Sequence, residues 1–157
     1  MLLQTEVQII PCFSNLPEKE AELLTIAREA AKCAYAPYSH FKVGAALLLK
    51  NGHIVSGNNQ ENAVYPSGMC AERVALFYAA AQFPDTPIDK IAITAIGNDK
   101  EICQPVPPCG NCRQALLEYE IKFRKPIEVI MAGQKGEVYI VKSVSELLPL
   151  NFSGSFL

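Results

Sequence analysis

Cys70-Ala71-Glu72-Arg73 and Pro107-Pro108-Cys109-Gly110-Asn111-Cys112-Arg113-Gln114 are the two stretches from which the rest of this 157-residue chain is read. Three thiolates can hold a zinc ion and leave its fourth tetrahedral position to water, the arrangement of a catalytic rather than a structural zinc. Glu72, two residues after Cys70, is the candidate to handle that water's protons. Both stretches open helices. The run from Cys70 to Gln82 is dominated by Ala, Leu, Val and Phe with no breaker, and Pro108 marks the entrance to a second helix from Cys109 to about Phe123. A helix start presents free N–H groups and the positive end of the macrodipole, which favours the thiolate a metal needs. Cys109 and Cys112, three apart, lie on one helix face.

Three thiolates on one divalent ion leave a net negative cluster, so a nearby cation would offset the excess charge. Arg73 follows Glu72 and Arg113 follows Cys112, and either can donate to the sulfurs. The alternative for each is an exposed helix arginine; we read Arg73 as the donor and Arg113 as the exposed side chain. The chain has six cysteines. Cys12, Cys33 and Cys103 read as small buried or loop thiols. Cys103 alone lies near enough in sequence to offer a fourth thiolate, which would close the metal site.

Outward from these helices, Asn15-Leu16-Pro17-Glu18 starts another, with Asn15 as its cap. Leu24, Ala27, Ala31 and Ala34 follow at helical spacing, and Pro37 is expected to stop it. Asn51-Gly52 is a strong hairpin signal, pairing Lys42–Lys50 with His53–Gly57. A strand at Lys90–Ile96 leads into a loop from Gly97 to Pro108. Ile127–Ala132 and Glu137–Val141 are strands joined through Gly133-Gln134-Lys135-Gly136, too short a link for a parallel crossover, so they pair antiparallel. Ser143 begins a short terminal helix that Pro149 ends. Five strands interleaved with helices predict one mixed α/β sheet with helices on its faces.

Length predicts a single domain over residues 1–157, and half the residues are hydrophobic, enough for a core without disulfides. Net charge is −2 with no basic stripe, so the electrostatic source of nucleic-acid binding is missing and a small neutral ligand fits better. The N-terminus has no positive region, and Glu6 interrupts its apolar run before a signal-peptide core forms. No segment approaches the ~20 apolar residues of a membrane span. The expectation is a cytoplasmic protein that touches no membrane, where thiols stay reduced and a Cys-x-x-Cys pair points to metal or redox chemistry.

Cys70-Ala71-Glu72 with Pro108-Cys109-Gly110-Asn111-Cys112 resembles the signature of zinc nucleoside and nucleobase deaminases. Three further stretches are similar to cytidine deaminases: Tyr38-Ser39-His40-Phe41-Lys42-Val43-Gly44-Ala45-Ala46, Asn59-Gln60-Glu61-Asn62-Ala63-Val64-Tyr65-Pro66, and Leu147-Leu148-Pro149 with Phe152. The resemblance runs from about Tyr35 to Phe152. It implies a three-layer α/β/α fold around a five-stranded mixed sheet, and zinc held by Cys70, Cys109 and Cys112. It implies that Glu72, two residues from Cys70, folds over the helix end as proton shuttle. Phe41 would stack on the pyrimidine, Asn59 and Glu61 would hold a ribose hydroxyl, Tyr65 would border the base pocket, and the Ala71 backbone would contact the ring. The implied reaction is hydrolytic deamination of cytidine and 2′-deoxycytidine to uridine and 2′-deoxyuridine with release of ammonia, a step of pyrimidine salvage.

Cysteine rather than histidine at position 70 is the mark of the small homotetrameric branch, whose active sites are shared between subunits. Phe152 is then expected to reach a neighbour's pocket. Lys42 stands where proline is common, Pro107 where serine is common and Asn111 where alanine is common. Residues 1–15 extend beyond the usual family start and carry no assigned role. Three other readings remain: a relative acting on another aminated heterocycle such as blasticidin S, a thioredoxin-type redox motif at Cys109 and Cys112, and a non-catalytic zinc module closed by Cys103. The redox reading leaves Cys70 and Glu72 without a role.

Overall fold

The computed structural model describes residues 2–98 and 100–157. Its strands alternate small or branched apolar residues between two covered faces, as the strands of a sheet sandwiched between helices must. The elements in chain order are β1 (Gln8–Ile10), α1 (Glu18–Lys32), β2 (Phe41–Leu49), β3 (Ile54–Asn58), α2 (Ala71–Gln82), β4 (Ile88–Gly97), α3 (Gly110–Phe123), β5 (Glu128–Ala132) and β6 (Val138–Val141). They form a sheet in the order β1-β6-β5-β4-β2-β3, in which β4 and β5 run parallel and every other neighbouring pair is antiparallel.

One face packs against α1: Leu23, Leu24 and Ala27 meet Ala46 of β2, Ala92 of β4 and Ile130 of β5. The other face packs against α2 and α3, where Ala75, Leu76, Leu116 and Leu117 meet Leu47, Ile91, Ile93 and Val129. Adjacent strand residues thus serve opposite cores, the period-two pattern of a pleated strand. The result is three layers, helix, sheet and helix pair. At Gly57 of β3 a Cβ would lie 2.6 Å from the Ala75 amide nitrogen and 2.9 Å from the Ala71 carbonyl oxygen. Glycine there lets the first turn of α2, and Cys70 with it, close onto the sheet.

The expected elements are present with shifted ends and one addition. The hairpin through Asn51-Gly52 pairs Gly44 with Asn58 and Leu48 with Ile54, one residue displaced from the expected bounds. The strand expected from Lys90 begins at Ile88, and β5 and β6 pair antiparallel as their short link requires. Asn15 does not cap α1: it ends a 3₁₀ turn over Phe13–Asn15, its side chain accepts a hydrogen bond from the Cys12 thiol at 2.8 Å, and Pro17 occupies the cap position. Pro37 does not end α1, which stops at Lys32. Tyr35 is drawn instead into pairing with the segment after β3, donating to the Asn59 carbonyl (3.1 Å) and accepting from the Glu61 amide (2.9 Å).

The sheet has six strands, not five. Residues 8–10 pair antiparallel with β6, Gln8 opposite Ile140 and Ile10 opposite Val138. Three mostly exposed residues carry too little alternation to be seen as a strand, and only the open edge of β6 makes them one. The terminal helix is a 3₁₀ turn over Val144–Leu147, capped by the Ser143 side chain. No helix among the described residues is long and apolar enough to cross a membrane.

Candidate active site

Cys70 and Cys109 occupy the N-cap positions of α2 and α3, in extended backbone and with neither sulfur spent on capping its own helix. Their carbonyls accept the first helical hydrogen bonds, from Arg73 and Val74 and from Arg113. The helices therefore begin one residue later than expected, and both cap thiols are free to turn toward each other. Cys112 stands in the first turn of α3, fully buried. The Cys70 and Cys109 sulfurs are 3.8 Å apart, those of Cys109 and Cys112 3.5 Å, and all three lie within 4.8 Å of one another. A tetrahedral ion with metal–sulfur bonds of ~2.3 Å separates its ligand sulfurs by about 3.8 Å, so this donor set fits zinc.

The electrostatics of the bare cluster also favour a cation. Hydrogen bonding from Cys112, helped by Arg73, draws the Cys70 thiol down to about 5. The Cys112 thiol is pushed far up by its bond to Cys70 and by burial. Three thiolates so close cannot all ionise without a positive charge between them. Arg73 donates to the Cys70 sulfur at 3.7 Å, and that contact raises its own guanidinium. Arg113 neither touches the sulfurs nor stands free. It is half-buried and donates to the carbonyls of Pro108 and Leu147, each at 2.8 Å, tying the approach to Cys109 to the C-terminal segment.

Glu72 is the second residue of α2, 5% exposed, and burial pushes its carboxyl up, reinforced by the charge on Cys70. Glu72, Cys70, Cys109 and Arg73 line a cavity of about 840 Å³, which Phe41, Asn59, Glu61 and Tyr65 also line. Asn59 uses its side-chain amide to hold the start of β2, accepting from the Val43 amide (2.7 Å) and donating to the Phe41 carbonyl (2.9 Å). The Glu61 carboxylate accepts from the amides of Tyr38 (2.8 Å) and Ser39 (3.3 Å) and from the Ser39 hydroxyl, which together hold it below the usual carboxylate range, the hydroxyl contributing most. Tyr65 is largely exposed, edge-on to Tyr38 with ring centroids 6.3 Å apart.

Ala71 and Phe152 are not among the residues that line this cavity within the single chain. Ala71 is wholly buried in the first turn of α2. Phe152 is 58% exposed, outside the cavity, and stacks on Phe156 at 5.5 Å. Cys103 is exposed, donates only weakly to the Glu101 carbonyl and stands outside the sulfur group, so a four-thiolate closed site lacks its fourth donor. Ser39 and Val106 line the cavity without having been assigned a role from sequence. Ser39 lies inside a quoted motif, but its partner Glu61 is too distant along the chain for spacing to reveal the pair. His40, between Ser39 and Phe41, adopts φ +55°, a left-handed conformation uncommon outside glycine and often found beside functional sites.

The sequence profile of the cytidine and deoxycytidylate deaminase zinc-binding region matches residues 17–124. A cytidine deaminase of Halalkalibacterium halodurans is 41% identical over 131 residues, which cover 83% of this chain and 92% of that protein. One of Sporosarcina psychrophila is 37% identical over 132 residues, covering 84% and 90%. The crystal structure of cytidine deaminase from Burkholderia pseudomallei superimposes with a TM-score of 0.74 at 38% identity, covering 87% of this chain and all of that one. Sequence, fold and the three-sulfur cluster agree, and the chain belongs to the cytidine and deoxycytidylate deaminase family.

Proposed function

We propose that this protein catalyses the zinc-dependent hydrolysis of cytidine and 2′-deoxycytidine to uridine and 2′-deoxyuridine, releasing ammonia. The observation that carries the reading is that Glu72 and the Cys70 and Cys109 sulfurs open onto the same cavity as Phe41 and Glu61. The cavity thus brings together groups suited to hydrolytic chemistry and groups suited to a sugar and a flat ring. Zinc held by Cys70, Cys109 and Cys112 supplies Lewis acidity that activates water near neutral pH. Glu72 would take one proton from the attacking water and deliver it to the ring nitrogen next to the reacting carbon. It would then take the proton of the hydroxyl so added and pass it to the departing amino group, which leaves as ammonia while the carbonyl forms. Burial raises the Glu72 carboxyl above the usual carboxylate range, the direction that favours its taking up a proton.

Phe41 stacks on the pyrimidine, Tyr65 borders it and the Ala71 backbone meets its edge. Glu61, held ionised by its three donors, accepts from a ribose hydroxyl beside Asn59. Arg73 offsets the charge of the sulfur cluster. The protein works as one domain per chain, in a homotetramer with shared sites, and Phe152 contributes to a neighbour's pocket. Support comes from the exposed large apolar side chains Tyr65, Leu150, Phe152, Phe156 and Leu157, of which Phe152 and Phe156 stack on each other, apolar surface that a subunit contact would bury. Six unpaired cysteines suit the reducing cytoplasm, where pyrimidine salvage takes place.

Ammonia release from cytidine and deoxycytidine, set beside cytosine, adenosine and blasticidin S, tests the assignment with the zinc-loaded protein. Turnover of the two nucleosides is expected, with a loss of about 10²–10⁴-fold in Glu72→Gln while zinc stays bound. No turnover of either nucleoside despite bound zinc would reject the substrate.

A further inference from the structure

The link between β5 and β6, at the far side of β4 from the hairpin, makes an unexpected set of contacts with the loop over residues 97–108. The side-chain oxygen of Gln134 accepts two backbone hydrogen bonds at once, from Gly97 at 3.1 Å and from Ile102 at 3.0 Å. The Gln134 amide donates back to the Ile102 carbonyl at 2.7 Å. The fit is tight: a Cβ at Gly133 would lie 2.4 Å from the Ile102 carbonyl oxygen and 2.7 Å from that of Gln104. A Cβ at Gly136, where φ is +88°, would lie 2.4 Å from the Cys103 carbonyl oxygen. The link is itself anchored, since the Gly133 carbonyl accepts from the buried Thr94 hydroxyl at 3.2 Å and from Arg28 at 3.5 Å.

Both ends of what Gln134 holds lead to the substrate cavity. Gly97 is the last residue of β4 and pairs directly with Phe41 across the β2–β4 ladder. Ile102 lies in the same loop as Val106 and Pro107, which line the cavity wall before Cys109. A half-buried acceptor serving the last amide of β4 and the Ile102 amide of the loop that follows is a local fastening, and losing it strands both donors.

We infer that Gln134 is a positioning residue for substrate binding: it sets the Phe41 wall and the Val106–Pro107 wall of the cavity at their working separation. The metal ligands are held independently, Cys70 and Cys109 by their helix starts and Cys109 also through Arg113 and Pro108. Losing the fastening therefore weakens nucleoside binding and leaves the metal and the chemical step in place.

The inference rests on the proposed nucleoside substrate, and the test separates the two. Gln134→Met keeps length and removes the acceptor; Gln134→Glu keeps the acceptor, since only the side-chain oxygen takes part in the two bonds. For Gln134→Met the expected result is a KM for cytidine raised about five- to twentyfold, kcat within about twofold of the unsubstituted enzyme, and one zinc per chain. Gln134→Glu should restore KM to within about twofold. Amide hydrogen exchange at Gly97 and Ile102, measured without substrate, should speed up at least tenfold in Gln134→Met and not in Gln134→Glu. An unchanged KM in Gln134→Met, a fall confined to kcat, or a Gln134→Glu protein as impaired as Gln134→Met would overturn the positioning role. Unchanged exchange would overturn the fastening whatever the substrate, whereas an unsubstituted enzyme inert toward cytidine would overturn the proposed function instead.

Discussion

Arg73 offers a way to weaken the sulfur cluster without removing a ligand. Its guanidinium is the charge-assisted donor to Cys70, so Arg73→Ala should lower zinc affinity about 10–100-fold, read by competition with a chromophoric chelator. Unaltered affinity would show that the contact with Cys70 carries no weight. Arg73→Lys should recover only part of the loss, because an ammonium lacks the planar fork. Cys103→Ser separates the three-thiolate from the four-thiolate arrangement. Cys103 lies outside the cluster, so the variant should keep one zinc per chain and full activity, measured by metal analysis and ammonia release. Loss of zinc would return Cys103 to the ligand set. Arg73 and Arg113 were distinguishable in sequence only by their neighbours, and the reading of Arg113 as a free surface residue failed. Its partners, Pro108 and Leu147, stand on different elements and leave no periodic trace.

The element that sequence could not reveal is β1, and its contribution can be measured. It adds a few backbone hydrogen bonds at the edge of β6, and Thr5 just before it donates to the Glu146 carbonyl at 2.8 Å. At about 0.5–1.5 kcal/mol net for each bond, removing residues 1–10 should cost about 1–3 kcal/mol. For a chain of this size that corresponds to a fall in Tm of about 2–12 °C, followed by differential scanning calorimetry. Activity toward cytidine should be unchanged, since β1 lies at the edge remote from β2. The bared β6 edge should also increase light scattering on heating. A Tm identical to that of the full chain would show that β1 does not pair in solution. The helices, by contrast, were legible. Leu24 and Ala27 of α1, and the unbroken apolar run of α2, mark the faces that meet the sheet because a 3.6-residue period survives translation into three dimensions.

Zinc couples the folding of the two helix starts at the scale of the whole molecule. Cys70 caps α2, Cys109 caps α3 and Cys112 lies in its first turn, so an ion between them joins segments separated by the whole of β4 and the loop that follows it. An ion present at about a hundred times its dissociation constant stabilises the fold by about 2.7 kcal/mol. Chelation should accordingly lower Tm by about 5–11 °C and abolish ammonia release, both restored by added zinc and by no other treatment. A Tm insensitive to chelation would mean that the sulfurs hold no ion in the folded protein. What the sequence determined by itself was whatever depends on near neighbours: two helices headed by cysteines, a hairpin at Asn51-Gly52, an antiparallel pair through a four-residue link, and a donor set suited to zinc. The tertiary structure alone decided that β1 joins the sheet, that α1 yields at Lys32 to the pairing of Tyr35, that the Asn59 amide braces Phe41, and that Gln134 reaches the loop over residues 97–108. These are contacts between residues far apart along the chain. Residue spacing encodes dihedral periods over one or two turns, whereas such contacts exist only once the sheet has set which distant segments lie side by side.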